Sequence, residues 1–331
     1  MAHKISVGID WQGSIDYAAI VERVKIADAA GVHSVWIPEA WGRDAFTILS
    51  VLAYETTHIQ LGTGIVNSYS RTPAALAQHF ATLDELSGGR MIIGLGTSGA
   101  QVIEHFHGVP FEPPRTRLKE YIEIINTLMK GDKLNYQGKL FNLQRGFTLR
   151  FQPVRDQIPI YLATLNAKSL KLTAELADGW LPIWLPMKQL KAEIDAVRSM
   201  SVAAGRPADA VSVRAPSAVA VTPHVARARA VHAGTAAFYI GRMGVYYAAQ
   251  LTRLGHGQTV EQVKRAWQNG SRAAAEAVTT ELVDETFCAG PVEACLDRMQ
   301  EQEACGVDVH TVSVEAADNA EYERILTKLV D

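Results

Sequence analysis

Cysteine is scarce in this chain. Three occur in 331 residues, at Cys288, Cys295 and Cys305. An odd count in so long a chain argues against a disulfide scaffold and suits reduced thiols in the cytoplasm. A catalytic cysteine is the alternative reading; buried free cysteine is commonplace in protein cores. Long apolar runs are missing as well. No stretch approaches the roughly 20 residues of a membrane-spanning helix. The opening Met1-Ala-His-Lys-Ile-Ser6 has no apolar signal region. Charge of one sign is not in excess. The net charge is −3, which offers no basic field for nucleic acid or an anionic membrane surface. Several catalytic signatures are absent too: no Gly-x-Ser-x-Gly elbow, no Walker loop, no His-Glu-x-x-His. His105-Phe-His107 brings two imidazoles together. No third histidine stands nearby, so no metal site is expected there.

The apolar content is 48%, an ordinary globular value. The length allows one large α/β domain or two ordinary ones. The strongest pattern runs from residue 58 to residue 99. His58-Ile-Gln-Leu-Gly-Thr-Gly-Ile-Val66 reads as a strand, followed by a polar loop Asn67-Ser-Tyr-Ser-Arg-Thr-Pro73. A helical run ends at Leu86, then Ser87-Gly-Gly-Arg90 turns into Met91-Ile-Ile-Gly-Leu-Gly96. Short apolar strands suit a parallel sheet buried on both faces. Both strands dissolve into small and polar residues at their carboxyl ends, where α/β folds place ligands.

The rest of the chain repeats this alternation. Strands are expected at Ile5–Ile9, Ser34–Pro38, Ile158–Ala163, Asp178–Trp184, Val211–Val221 and Val307–Val314, with helices between them. Ser14 and Asp44 are placed to cap the first two helices. Residues after Gly99, with Pro110, Pro113 and Pro114, read as loop. Two segments break the pattern. Residues 133–153 read as an inserted hairpin around Gly138. Residues 224–285 are alanine-rich and helical, without a strand. Eight alternating strands predict a single (β/α)8 TIM barrel over 1–331, carrying those two insertions.

Gly94-Leu-Gly96-Thr97-Ser98-Gly99 matches a dinucleotide fingerprint literally. Its context fails. It follows the fourth strand rather than the first, and Glu120, at the spacing of the ribose-binding acid, falls inside a helix. Small residues here let a flat ring lie against backbone. The glycines at 62 and 64 indicate either a barrel corner or a close backbone approach. The polar Asn67, Ser68, Tyr69 and Ser70 favour a ligand. Ala163, Thr164, Leu165, Asn166 and Lys168 link a strand to a helix. Thr164 or Asn166 can cap that helix, either as ordinary structure or as a phosphate site. Trp41 and Trp184, at carboxyl ends of strands, are candidate pocket walls.

The chain resembles the bacterial luciferase-like superfamily, and within it the branch that uses the deazaflavin coenzyme F420, such as the methylene-tetrahydromethanopterin reductases. The resemblance rests on Gly62-Thr-Gly-Ile-Val66 with Arg71-Thr-Pro73, Leu86-Ser-Gly-Gly-Arg90, Gly94-Leu-Gly96 and Ala177-Asp-Gly-Trp180. It implies a barrel with insertions, a homodimer, and a small-molecule substrate. It implies a cis peptide at Gly64–Ile65 behind the cofactor ring, with the cofactor tail running towards Thr164, Leu165 and Asn166. FMN is the alternative cofactor within the superfamily, serving a monooxygenase; a non-catalytic flavin-binding barrel is the third reading. The alcohol and sugar-phosphate dehydrogenases of the family carry an Asp-His pair after strand two and a glutamate after strand four. This chain has Glu39-Ala40 and Thr97-Ser98 there. That departure favours C=N or C=C chemistry over alcohol oxidation. Glu39 is then the expected acid, set among apolar Trp36, Ile37 and Trp41, with Asp10 the next candidate. Helix capping or a salt bridge is the alternative role for Glu39.

Overall fold

The computed structural model describes residues 3–9 and 15–331. Asp10 and the expected cap Ser14 lie outside the described residues. Among the described residues there are twelve strands: β1 Ile5–Val7, β2 Ser34–Ile37, β3 Gln60–Thr63, β4 Val66–Asn67, β5 Met91–Gly96, β6 Leu134–Gln137, β7 Asn142–Phe147, β8 Ile160–Ala163, β9 Gly179–Trp180, β10 Ser212–Val221, β11 Cys288–Gly290 and β12 Val309–Val314. Eight of them, β1, β2, β3, β5, β8, β9, β10 and β12, pair in parallel and close on themselves through β9 and β10. This is a (β/α)8 barrel. The short β4 and β11 pair with β5 and β10.

Alternation along the strands sorts their side chains. Val35, Ile37, Met91, Ile93, Ile160 and Leu162 join the main core against the helices. Their neighbours Trp36, Ile92, Tyr161 and Leu181 pack together in a separate cluster that fills the barrel. No helix among the described residues is long and apolar enough to cross a membrane.

Helix starts follow capping chemistry. Asp44 accepts from Thr47 N at 2.7 Å, and Thr72 from Ala75 N at 3.2 Å with Pro73 as the first helical residue. The first helix, Tyr17–Ala29, is capped by Asp16. The helix Pro73–Ser87 stops at Gly88 and Gly89, whose φ values of 69° and 86° few other residues adopt.

Three local expectations are corrected. The strand expected at Asp178–Trp184 is β9 and ends at Trp180, because Pro182 cannot donate to a ladder and Trp184 turns to φ 53°. Residues Ala100–His105, expected as loop, form a short helix that seats Ile103 against Tyr69 and Phe111. Strand β11 was not anticipated; three small residues give no periodic signal.

Residues 134–147 form the antiparallel pair β6–β7. The Glu120 carboxylate holds its turn, accepting from the N–H groups of Lys139, Leu140 and Phe141. Helices between Val225 and Thr286 build a cluster of their own, with Ala236, Ile240, Leu251, Val260, Val263 and Leu282 buried around Trp184.

Candidate active site

A cavity of about 470 Å³ opens at the carboxyl ends of the barrel strands. Its floor comes from four strand ends. These supply Pro38, Glu39 and Ala40 after β2, Gly64 and Ile65 after β3, Gly96, Thr97 and Ser98 at β5, and Ala163 to Asn166 at β8. The Gly64–Ile65 peptide is cis. Gly64 N donates to Ile37 O at 2.8 Å and Glu39 N to Ile65 O at 3.3 Å, so the break in the third strand is pinned to the second.

The floor is built for close approach. A Cβ on Gly96 would lie 3.1 Å from Ile65 Cδ1 and 3.3 Å from Ala163 Cβ. At Gly94, just below, a Cβ would overlap the Thr63 carbonyl oxygen. Thr63 Oγ1 donates to Gly94 O and accepts from Gly94 N, at 2.7 and 2.9 Å. Glycine there is what lets β3 and β5 share this bond.

Part of the lining is polar and cationic. Asn166 caps the helix Ala167–Leu176 through a capping box with Ser169. The first N–H groups of that helix have no intrahelical carbonyl to bond, and Lys168 and Ser169 line the cavity beside them. Arg115 adds a second cation from the start of the helix Pro114–Met129. Another part of the lining is apolar and aromatic. Tyr239, Met243, Tyr246 and Tyr247 come from the helical block, and Phe111 from the proline-rich segment. Burial pushes the Tyr239 and Tyr247 phenols up, so both stay protonated and can donate hydrogen bonds.

Glu39 is the only acid among the described lining residues. The apolar surroundings expected for it are not what it meets. Arg71 donates Nη1 to its Oε1 at 2.5 Å and Nη2 to its Oε2 at 3.2 Å. Ala45 N donates to Oε2 at 3.0 Å. Arg71 also bonds Asp44 and stacks its guanidinium 4.7 Å from the Phe46 ring centre. Glu39 is therefore tied to the loop and helix that follow β2.

The structure brings most of the sequence candidates together: Glu39, Gly64, Ile65, Gly96, Thr97, Ser98, Ala163, Thr164, Leu165 and Asn166 share this lining. Three stand apart from it. Asn67 is buried and shapes the turn after β4, its Oδ1 accepting from Tyr69 N and Ser70 N at 2.9 and 2.8 Å. Trp41 is 48% exposed and packs 6.3 Å from Phe238 over a neighbouring groove. Trp184 is buried beneath Tyr239 at 5.4 Å, one layer behind the wall. Sequence reading missed Phe111, Arg115, Tyr239, Met243, Tyr246 and Tyr247. The available signal was a tyrosine cluster inside an alanine-rich segment.

The sequence model for luciferase-like monooxygenases matches residues 3–309. A Mycobacterium tuberculosis protein named as a coenzyme F420-dependent oxidoreductase is 32% identical over 345 residues, covering 99% of each chain. The 5,10-methylenetetrahydromethanopterin reductase of Archaeoglobus fulgidus is 29% identical over 307 residues, covering 91% of this chain and 90% of its own. Among solved structures, the coenzyme F420-dependent tetrahydromethanopterin reductase from Methanopyrus kandleri superposes with a TM-score of 0.83 at 23% identity, covering 99% of this chain and 98% of its own. An F420-dependent secondary alcohol dehydrogenase in complex with an F420-acetone adduct gives 0.77 at 18% identity, over 100% of this chain.

Proposed function

Because the chain belongs to the luciferase-like monooxygenase family, which its residues 3–309 match, we propose that it is a coenzyme F420-dependent oxidoreductase acting on a small organic substrate. One observation carries the reading: a cavity floored by glycine, alanine and Ile65, whose lining includes the cations Lys168 and Arg115 and the aromatics Phe111, Tyr239, Tyr246 and Tyr247. The residues fit the cofactor in kind. Gly64, Ile65, Gly96 and Ala163 leave room for a flat ring against backbone. The helix start at Ala167, with Lys168 and Arg115, suits an anionic tail. When bound, the deazaflavin supplies a ring carbon that exchanges a hydride. The relatives named for this coenzyme support the choice over FMN.

The chain's own contribution is holding and excluding. The floor fixes the plane in which the ring lies. The tyrosine wall covers the substrate side, keeps water out and offers phenol donors to orient the substrate. Hydride transfer needs the reacting carbons held about 3–3.5 Å apart, and rigid strand ends on one side of the site serve that end. Among the described lining residues, no carboxylate or imidazole stands unpaired. An alcohol substrate needs a base for its hydroxyl proton; reduction of a C=N or C=C bond makes a smaller demand. That favours the latter. The three free thiols support a cytoplasmic setting.

The test is anaerobic titration of the purified protein with F420 and with FMN, followed by turnover of a C=N substrate with and without oxygen. We expect F420 to bind preferentially and turnover to be independent of oxygen. Binding of FMN alone, with oxygen consumed, would overturn the proposal in favour of a monooxygenase.

A further inference from the structure

We propose that His3, Glu303 and His310 form a transition-metal site, matched to Zn²⁺, on the amino-terminal face of the barrel. The three residues come from separate places: the segment before β1, the end of the helix Val292–Cys305, and β12. His3 Nδ1 lies 2.7 Å from Glu303 Oε1, and His310 Nε2 lies 3.2 Å from the same oxygen. The three ligand atoms all fall within 4.8 Å of one another. A tetrahedral Zn²⁺ with bonds of about 2.0–2.1 Å spaces its ligand atoms about 3.3 Å apart. Small side-chain shifts take the observed triangle to that spacing. Glu303, with its side chain 43% exposed, is free to make them.

The surroundings match a metal-bound imidazole. His310 Nδ1 faces Gln302 Oε1 at 2.9 Å. With Nδ1–H donating to that amide oxygen, Nε2 presents its lone pair to the cluster. An outer acceptor that fixes the tautomer in this way accompanies most metal-ligating histidines. The His310 side chain is 1% exposed. The backbone is preset too: His3 N donates to Val330 O and His310 N to Lys4 O, both at 2.8 Å. Two imidazoles with one carboxylate suit Zn²⁺ and its neighbours, whereas Mg²⁺ and Ca²⁺ demand more oxygen ligands. The exposed side of Glu303 leaves room for water as a fourth ligand. The cluster lies at the opposite end of the strands from the cavity, so its role is to clamp the chain start to the barrel.

The experiment uses full-length, untagged protein stripped with chelator and titrated with Zn²⁺ by calorimetry, then with Co²⁺ by visible absorption. We expect one equivalent of either metal, a Co²⁺ spectrum of four-coordinate intensity, and a melting temperature that rises with added Zn²⁺. His3→Gln, in the segment before β1, should fold normally and lose stoichiometric binding. Gln302→Leu should weaken Zn²⁺ affinity about 10- to 100-fold. Binding below one equivalent at micromolar Zn²⁺, or affinity unchanged in both His3→Gln and Glu303→Gln, would overturn the proposal.

Discussion

At the scale of single residues, the anchoring of Glu39 decides what a substitution there should do. Its carboxylate accepts two bonds from Arg71 and one from Ala45 N. Hydrogen bonds to charged groups contribute roughly 1.5–3 kcal/mol each. Glu39→Gln should therefore lower stability by about 1–3 kcal/mol in urea denaturation, with turnover held within about tenfold of the parent and an unchanged pH profile. A loss of 10²–10⁴ with a shifted profile would instead give Glu39 the proton-transfer role and leave the loop merely supported by it. Gly94 and Gly96 should separate in the same way. Gly94→Ala drives a methyl into the Thr63 carbonyl and should yield little folded protein. Gly96→Ala meets only the flexible tip of Ile65 and the Ala163 methyl. It should fold, lose at most about 1–2 kcal/mol, and bind the cofactor at least tenfold more weakly in a fluorescence titration. Glycines such as these were legible in the sequence because each interrupts an apolar strand. The ion pair of Glu39 was not, since Arg71 lies 32 residues away.

At the scale of elements, the turn Ser87–Arg90 shows what four residues can hold together. Arg90 spends all five donors: Nε on Ser87 O, Nη1 on Thr56 Oγ1 and Ile59 O, Nη2 on Ala53 O and Thr56 O. The guanidinium thus closes the end of the helix Ala45–Glu55 and fixes the entry to β3. Lysine has three donors and no planar fork. Arg90→Lys should cost roughly 2–3 kcal/mol through abandoned carbonyls, read as a lower urea midpoint. The helix Ala167–Leu176 invites a different measurement. Lys168→Gln removes a cation beside its start without touching the Asn166 cap. Cofactor affinity should fall about three- to tenfold and become less sensitive to salt, while the melting temperature stays put. Strands and helices of this kind were readable because period and capping are local properties. The tyrosine wall was unreadable at residue level. It reaches the cavity only when residues 239–247 fold across strands far earlier in the chain.

At the scale of the whole molecule, the helical block is joined to the barrel at a titratable contact. His232 stacks on Phe287 at 4.5 Å, lies 5.0 Å from Trp184, and meets Thr286 Oγ1 at 2.9 Å. Burial, with Arg229 adding to it, holds its imidazole down to about 4. The unfolded chain takes up this proton near 6.5, so between pH 6.5 and 4 the unfolded state binds more protons. Stability from this group is then complete above pH 6.5 and drains away as the pH falls towards 4. His232→Phe should flatten the slope of urea midpoint against pH in that window, measured from pH 4.5 to 7.5. The contact has a wider meaning. Floor residues belong to the barrel, and wall residues to a cluster with its own buried centre. The two halves of the cavity are thus held by different packing, and change in one need not propagate to the other. A lineage can rewrite residues 239–247 to accept a new molecule while the ring's seat is inherited untouched, which is a physical route to many specificities from one coenzyme.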